Sequence, residues 1–327
     1  MYQRPAEWRK GKIIWLAWPY DRSLWRDDLK LAQKEFIALV NSLRNEQLVI
    51  LFPNYDSLNQ ASLAFTHDHF SVKVIPYGDI WLRDTMPIFV KDQTGQTVAV
   101  LPKFNGWGNK YLFADDQTLS ARVAEQLLIK TVPTDLIFEG GAIECDGAGT
   151  LITTEQCLLN QNRQGLDKKA IEEEFFRLFG AKKVIWLKSG LENDHTDGHV
   201  DTIARFIGPN KVAIMVPSKN DPNREALLAI KKQLSSETDA LGKKLELLEI
   251  PSPGAVLNSQ GELMPASYLN FIIGDETLVL PLYESAHDDE AVHILADAVR
   301  LDVVGLKALA ILTGGGAFHC ISQEYYR

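Results

Sequence analysis

The chain has 327 residues, 46% of them hydrophobic and 24% charged, which suits a globular protein built as one large domain or two ordinary ones. A formal net charge of −9 argues against a nucleic-acid partner and favours a cationic ligand, and no apolar run reaches the length of a membrane span. The opening "MYQRPAEWRKGK" lacks the apolar core of a signal peptide. Cys145, Cys157 and Cys320 form neither a disulfide framework nor a zinc spacing, so a cytoplasmic compartment is expected.

Read in chain order, "KIIWLAWP" is a strand. An amphipathic helix over 28–44 follows, with Leu29, Phe36, Ile37, Val40 and Leu43 on one stripe, and then the strands "QLVILFP" and "SVKVIPY". The unit recurs. "TVAVLPKF" leads to a helix over 116–130, opening on aspartates suited to capping, and then to "TDLIF". "GTLITTEQCLLN" reads as a hairpin holding Cys157 as a core thiol, with Cys145 beside it. It leads to a helix over 167–179, closed by Gly180, and to "KKVIWLK". "DTIARFI" and "KVAIMVP" lead to a helix over 222–236 and to "KLELLEI". "YLNFII" and "TLVLPLY" lead to a helix over 288–300 and to "LDVVGLKAL". The helix starts are unevenly spaced, so the repeat is degenerate, and no linker divides the chain; residues 1–327 are expected to form a single domain.

The segments after the last strand of each unit carry the chemistry. They read "GDIWLRD", "EGG", "SGLENDHTDGHVD", "PSPGAVLNSQGELMPASYLN" and "AILTGGGAFHC". If the units surround an axis, these tips converge, and Asp84, Glu139, His199, Asp201 and Cys320 meet in one cleft. A cysteine with a histidine points to nucleophilic catalysis with the imidazole moving protons. Two further carboxylates disfavour a thiolate unless the electrophile is itself a cation with several N–H donors. A guanidinium is such a group: planar, always charged, and matched to carboxylate forks.

Other roles stay open for each residue taken alone. Asp84 can pair with a neighbouring basic side chain, "HVD" can be a structural hydrogen bond, and Glu139 can cap backbone. His195, His199 and Asp201 can also be read as a zinc chelate, although Asp197 and Gly198 suit a helical pair poorly and the glutamate of HExxH is missing. Arg83, alternating with Asp84 in an extended segment, is expected to point away from the cleft.

"PAEW", "LAWP", "WLRDTMPIFV", "FNGWG", "EGGAIECDGAGTLITTEQCLLNQNR", "DGHVD" and "GGGAFHCISQ" together resemble the agmatine deiminase and bacterial-type peptidylarginine deiminase family, from Pro5 to Gln323. The resemblance implies a pentein α/β propeller of five ββαβ-like units around a pseudo-fivefold axis. It implies Cys320 as nucleophile, His199 as general acid and base, Asp84 and Asp201 on the guanidinium, and Glu139 orienting the histidine. It implies that Trp81 walls the substrate's methylene chain; from the residues themselves Trp107 is a second such wall, and Arg163, a family position, is either a substrate-binding residue at the far end or structural. No metal or organic cofactor is implied. The partner is a small cationic guanidino compound, agmatine before free or peptidyl arginine, since the tips hold few free basic groups to meet a carboxylate. A catalytically idle binding module is the reading from another class, and a homodimer is compatible with the sequence. Ala317 and Phe318 stand where the family commonly has Asn and Ile, which bears on fine specificity.

Overall fold

The computed structural model describes residues 2–62, 64–65 and 69–327, and among these no helix is long and apolar enough to cross a membrane. Lys12–Ala17 is buried at every position. It pairs in parallel with Gln47–Phe52, which pairs in parallel with Phe70–Val74. A strand covered on both faces has no solvent side to alternate with, which is why "KIIWLA" and "LVILF" read as continuous apolar runs. The helix Leu29–Ser42 supplies one cover, burying Phe36, Leu39 and Val40. Each such side chain contributes about 1.5–3 kcal/mol by leaving water.

Four further sheets share one pattern, in which the first strand runs antiparallel to the second and the third returns parallel to it after a helix. They are Ile88–Lys91, Thr97–Lys103 and Lys130–Ile137; Glu144–Cys145, Thr150–Thr154 and Lys183–Leu187; Ala204–Gly208, Lys211–Val216 and Glu246–Pro251; and Ile272–Ile273, Thr277–Leu282 and Asp302–Lys307. Their helices are Ala114–Gln126, Lys168–Phe179, Arg224–Leu234 and Asp288–Ala298. All five long helices lie within a few residues of the expected ranges. The first sheet obtains its antiparallel strand from the other end of the chain, where Ser322–Tyr326 pairs with Lys12–Leu16. Strand pairing among the described residues stays within each sheet, so the fold is mixed α/β with no closed barrel.

Several expectations need correction. The helix expected over 116–130 starts at Ala114, and its aspartates do not cap it. Asp116 instead accepts a hydrogen bond from the Gly78 amide at 2.7 Å. The helix ends early because Leu128 takes a left-handed conformation, and Lys130 already belongs to the next strand. Cys157 does not lie in a hairpin. Thr154 caps a short helix, Glu155–Leu158, accepting from the Cys157 amide at 3.2 Å.

Between sheets the chain crosses through residues 75–87, 138–143, 188–203, 252–271 and 308–321. These five crossings hold the residues that matter.

Candidate active site

Each crossing delivers at least one polar side chain to the same place. Asp84 comes from the first, Glu139 from the second, His199 and Asp201 from the third, and Cys320 from the last. The fourth, which the sequence left without a chemical residue, delivers Asn270. Its amide Nδ2 stands 3.1 Å from Cys320 Sγ and 3.4 Å from Asp201 Oδ2. Its Oδ1 accepts from the amides of Cys320 and Ala317 at 3.1 and 3.2 Å. Asn270 therefore fixes both the thiol and the backbone that carries it. The signal for it was the regularity of the crossings, not the residue itself.

Gly141 shows how tightly the groups meet. A Cβ there would lie 2.6 Å from His199 Nδ1 and 3.1 Å from both Asp84 Oδ1 and Asp201 Oδ2. Its amide donates to Asp84 Oδ1 at 3.0 Å. Gly316 does the same beside the nucleophile candidate: a Cβ would lie 2.8 Å from the Trp81 ring and 3.1 Å from Cys320 Sγ. Gly141 of "EGG" and Gly316 of "TGGG" are thus required by close approach of side chains rather than by turns alone.

Two networks orient these groups. His199 is fully buried and its Nε2 faces Glu139 Oε2 at 3.3 Å. Glu139 makes no backbone cap; it pairs with Arg163 at 3.1 Å. Arg163, expected at the far end of the substrate, does not reach the cavity. Its guanidinium is spent on Glu139, on Asp197 at 3.2 Å and on the Thr196 carbonyl at 3.0 Å. Cys157 Sγ sits beside this cluster, 4.0 Å from Glu139 Oε2 and 3.9 Å from Arg163 Nη2. On the other side, Asp201 Oδ2 accepts from His319 Nδ1 at 2.7 Å and lies 3.6 Å from Cys320 Sγ. Arg83 does point away, but from a helical turn, Leu82–Thr85, rather than an extended segment. It pairs with Glu7 at 3.1 Å and Glu324 at 2.7 Å.

The electrostatics follow from burial. Desolvation, with the charges of Asp201 and Asp84, pushes the Cys320 thiol well above its usual range. Burial also raises the Asp84 carboxyl to about 6, helped by Glu139 and Asp201. Burial opposes charge on His199, yet Asp84, Cys157 and Glu139 hold its imidazolium well above the ordinary histidine range. Burial likewise works against the Asp201 anion, but His319 wins and lowers its pKa. Within this buried cluster Asp201 Oδ1, His199 Nδ1 and Glu139 Oε1 have no hydrogen-bond partner among the described residues. Free acceptors on one carboxylate beside a thiol suit a ligand rich in N–H donors.

Above them opens a cavity of about 680 Å³, lined by Trp81, Trp107, Asp84, Cys320 and Gly314–Gly316. Trp107 Nε1 donates to Asp84 Oδ2 at 2.8 Å, so this ring aims the carboxylate as well as walling the space. Trp25 stacks on Trp81 with centroids 6.2 Å apart, and Asp79 accepts from both indoles at 3.0 and 2.8 Å. His195 stands at the rim against Tyr111, apart from His199, so the two histidines do not form the chelate considered above. The three-ligand groupings among the described residues are Glu139 with Cys157 and His199, and Glu7 with His319 and Glu324. Each has an arginine already in contact, Arg163 or Arg83, which opposes a second cation.

Comparison with known proteins agrees with this arrangement. The family model for Porphyromonas-type peptidyl-arginine deiminase matches residues 3–325. A Marinomonas protein named "Putative agmatine deiminase" is 35% identical over 99% of this chain and 94% of its own. The solved agmatine deiminase of Enterococcus faecalis superposes with a TM-score of 0.93 at 27% identity, covering 100% of this chain and 96% of that one. DDAH from Pseudomonas aeruginosa, at 12% identity and a TM-score of 0.53 over 96% of this chain and 99% of its own, shares the fold alone. With one model spanning nearly every residue, and with its thiol, imidazole, carboxylates and the Asn270 amide gathered from the five crossings, the chain belongs to the Porphyromonas-type peptidyl-arginine deiminase family.

Proposed function

We propose that this protein is an agmatine deiminase, hydrolysing agmatine to N-carbamoylputrescine and ammonia. The observation that carries the reading is Cys320, on the lining of a tryptophan-walled cavity, with its Sγ 3.6 Å from Asp201, which is buried behind that lining and whose Oδ1 has no partner among the described residues. Asp84 and Asp201 grip the guanidinium nitrogens, and Trp81 and Trp107 flank the alkyl chain. The substrate's positive charge offsets the two carboxylates that hold the thiol protonated, so binding itself favours the thiolate. The thiolate attacks the guanidinium carbon to give a tetrahedral adduct. Its C–N bond then breaks as His199, held by Glu139, donates a proton to the departing ammonia. The neutral His199 next takes a proton from water. The hydroxide attacks the S-alkylthiouronium carbon, the C–S bond breaks to return the thiolate, and the hydroxyl proton of the adduct passes to solvent as the carbamoyl C=O forms. The chain's own residues carry every step.

The same reading treats residues 1–327 as one catalytic domain in which the five sheets of three or four strands are blades about a pseudo-fivefold axis. Delivery of a site residue by every crossing supports this. Three free cysteines suit a reducing cytoplasm.

The charge lining the cavity supports agmatine over arginine. Asp27, Asp28, Asp79 and Asp84 line it against the basic side chains of Arg26 and His195, while Arg163, Arg83 and Lys110 are engaged elsewhere. Arg26 is the feature that favours a substrate with a carboxylate. Steady-state kinetics on agmatine, arginine and a peptide ending in arginine decide between them. Burying an unpaired carboxylate costs several kcal/mol, so kcat/KM for agmatine should exceed that for arginine by roughly a thousandfold. Comparable turnover of either arginine substrate overturns the assignment.

A further inference from the structure

The histidine next to the nucleophile is not idle. His319 is buried, and both of its ring nitrogens face carboxylates: Nδ1 lies 2.7 Å from Asp201 Oδ2, and Nε2 lies 3.0 and 3.2 Å from the two oxygens of Glu7. Ionised carboxylates only accept, so both nitrogens must carry hydrogen and the ring is an imidazolium. Glu7 is in turn held from three directions. Arg83, beside Asp84 in sequence, reaches it at 3.1 Å. Arg205 contacts it while donating at 3.0 Å to the carbonyls of Leu269 and Phe271, which flank Asn270. Arg4 stands 3.7 Å away. One N-terminal carboxylate thus touches the supports of Asp84, Asp201, Asn270 and Cys320.

We propose that Glu7 and His319 are positioning residues: the carboxylate acts through the imidazolium to keep Asp201 ionised and turned so that its unpartnered oxygen meets the guanidinium. The inference rests on the proposed deiminase reaction for its kinetic consequence, but not for its structural one. It explains why the two gripping aspartates differ. Asp84 has only an indole, an amide and the more distant His199 to hold its charge, whereas Asp201 has a bonded cation. The other ionisable groups nearby are Asp84, His199 and Cys320 on the substrate side. Behind the pair lie Arg4, Arg83, Arg205, Glu144 and Glu324.

The test compares the parent enzyme with His319→Asn, which keeps a donor near Asp201 but loses the charge and the link to Glu7, and with the isosteric Glu7→Gln. A hydrogen bond to a charged group is worth about 1.5–3 kcal/mol, so His319→Asn should lower kcat/KM for agmatine roughly tenfold to a hundredfold, mainly through KM. The acid limb of its kcat/KM profile should move to higher pH and steepen, because Asp201 now titrates alongside Asp84. Glu7→Gln should move the limb the same way by less. If either folded variant keeps the parent's KM and acid limb, the inference falls; if His319→Asn does not fold, Glu7→Gln alone decides. Nitrogen NMR of the His319 ring in the parent enzyme, under the conditions of the kinetic assay, should show both nitrogens protonated, as donation to both carboxylates requires. A neutral ring there overturns the inference whatever substrate the enzyme takes. A doubly protonated ring in an enzyme inactive on agmatine would instead count against the proposed substrate alone.

Discussion

His199 and Asp201 are two residues apart, yet they are wired to different networks of buried charge. The His199 side runs through Glu139 and Arg163 to Asp197 and on to Lys110, whose side chain is 36% exposed. The Asp201 side runs through His319 to Glu7, Arg83, Arg205 and Glu324, every one of them at most 5% exposed at its side chain. One network leads outward and the other stays in the core. In the proposed reaction the two groups have different tasks: His199 changes its protonation state twice per turnover, while Asp201 must hold one charge in one orientation. A network reaching solvent can relax around a moving proton. A network of paired, buried ions resists both movement and titration.

The largest effect should come where the sides meet. Cys320→Ser should abolish turnover with the melting temperature unchanged, and a haloacetamidine should label Cys320 in the parent rather than Cys145 or Cys157. Labelling of either other thiol removes the point about which the comparison turns. On the His199 side, His199→Ala should lose about 10²–10⁴-fold in kcat, the usual worth of a general acid and base, and His195→Ala far less.

Arg163→Met sharpens the comparison. It removes one of the two partners of the buried Glu139 carboxylate and leaves His199, so stability should fall by less than the about 3–5 kcal/mol typical of a buried charge left wholly unpaired. Because the gripping side is untouched, kcat should fall while KM changes little. A KM rising as far as kcat falls would mean that the two networks are not separable.

The smallest effect is the most diagnostic of charge. Asp84 titrates near 6 because it is buried, above the range of an unfolded aspartate. Between roughly pH 4 and 6 the folded state therefore binds the extra proton, and stability falls as pH rises through that window. Activity runs the other way, since the guanidinium needs the anion, so kcat/KM should fall as pH drops through about 6. Asp84→Asn should accordingly raise stability at neutral pH, by on the order of 2 kcal/mol, while removing activity. Thermal melts across pH check the sign. A destabilised Asp84→Asn would show that Trp107 and Gly141 support the anion more strongly than burial opposes it.

Much of this was legible in the sequence because it depends on local pattern. Five amphipathic stripes gave five helices, and strands covered on both faces showed as apolar runs. The crossings showed as glycine-flanked acids, a histidine and a cysteine. What escaped depends on distant partners. The strand Ser322–Tyr326 reads as a polar tail until Lys12–Leu16 is laid beside it. Glu7 lies within the quoted "PAEW" but has no meaning without His319, Arg83 and Arg205. Asn270 is a lone amide with no period to mark it, and its role appears only when Cys320 is folded against it. Arg163 could be a ligand for substrate or for Glu139, and spacing does not distinguish the two.

The indoles around the cavity have a practical consequence. Trp25, Trp81 and Trp107 line it, and the chain has seven tryptophans in all, so a large share of its intrinsic emission originates where a ligand would sit. Trp25 and Trp81 also share the Asp79 carboxylate, which burial places near a pKa of about 6. Protonation of Asp79 alters the acceptor of two fluorophores at once. The protein therefore carries an unlabelled optical reporter of both occupancy and acidity at the cavity wall, readable in a stopped-flow instrument on the Cys320→Ser variant without any turnover.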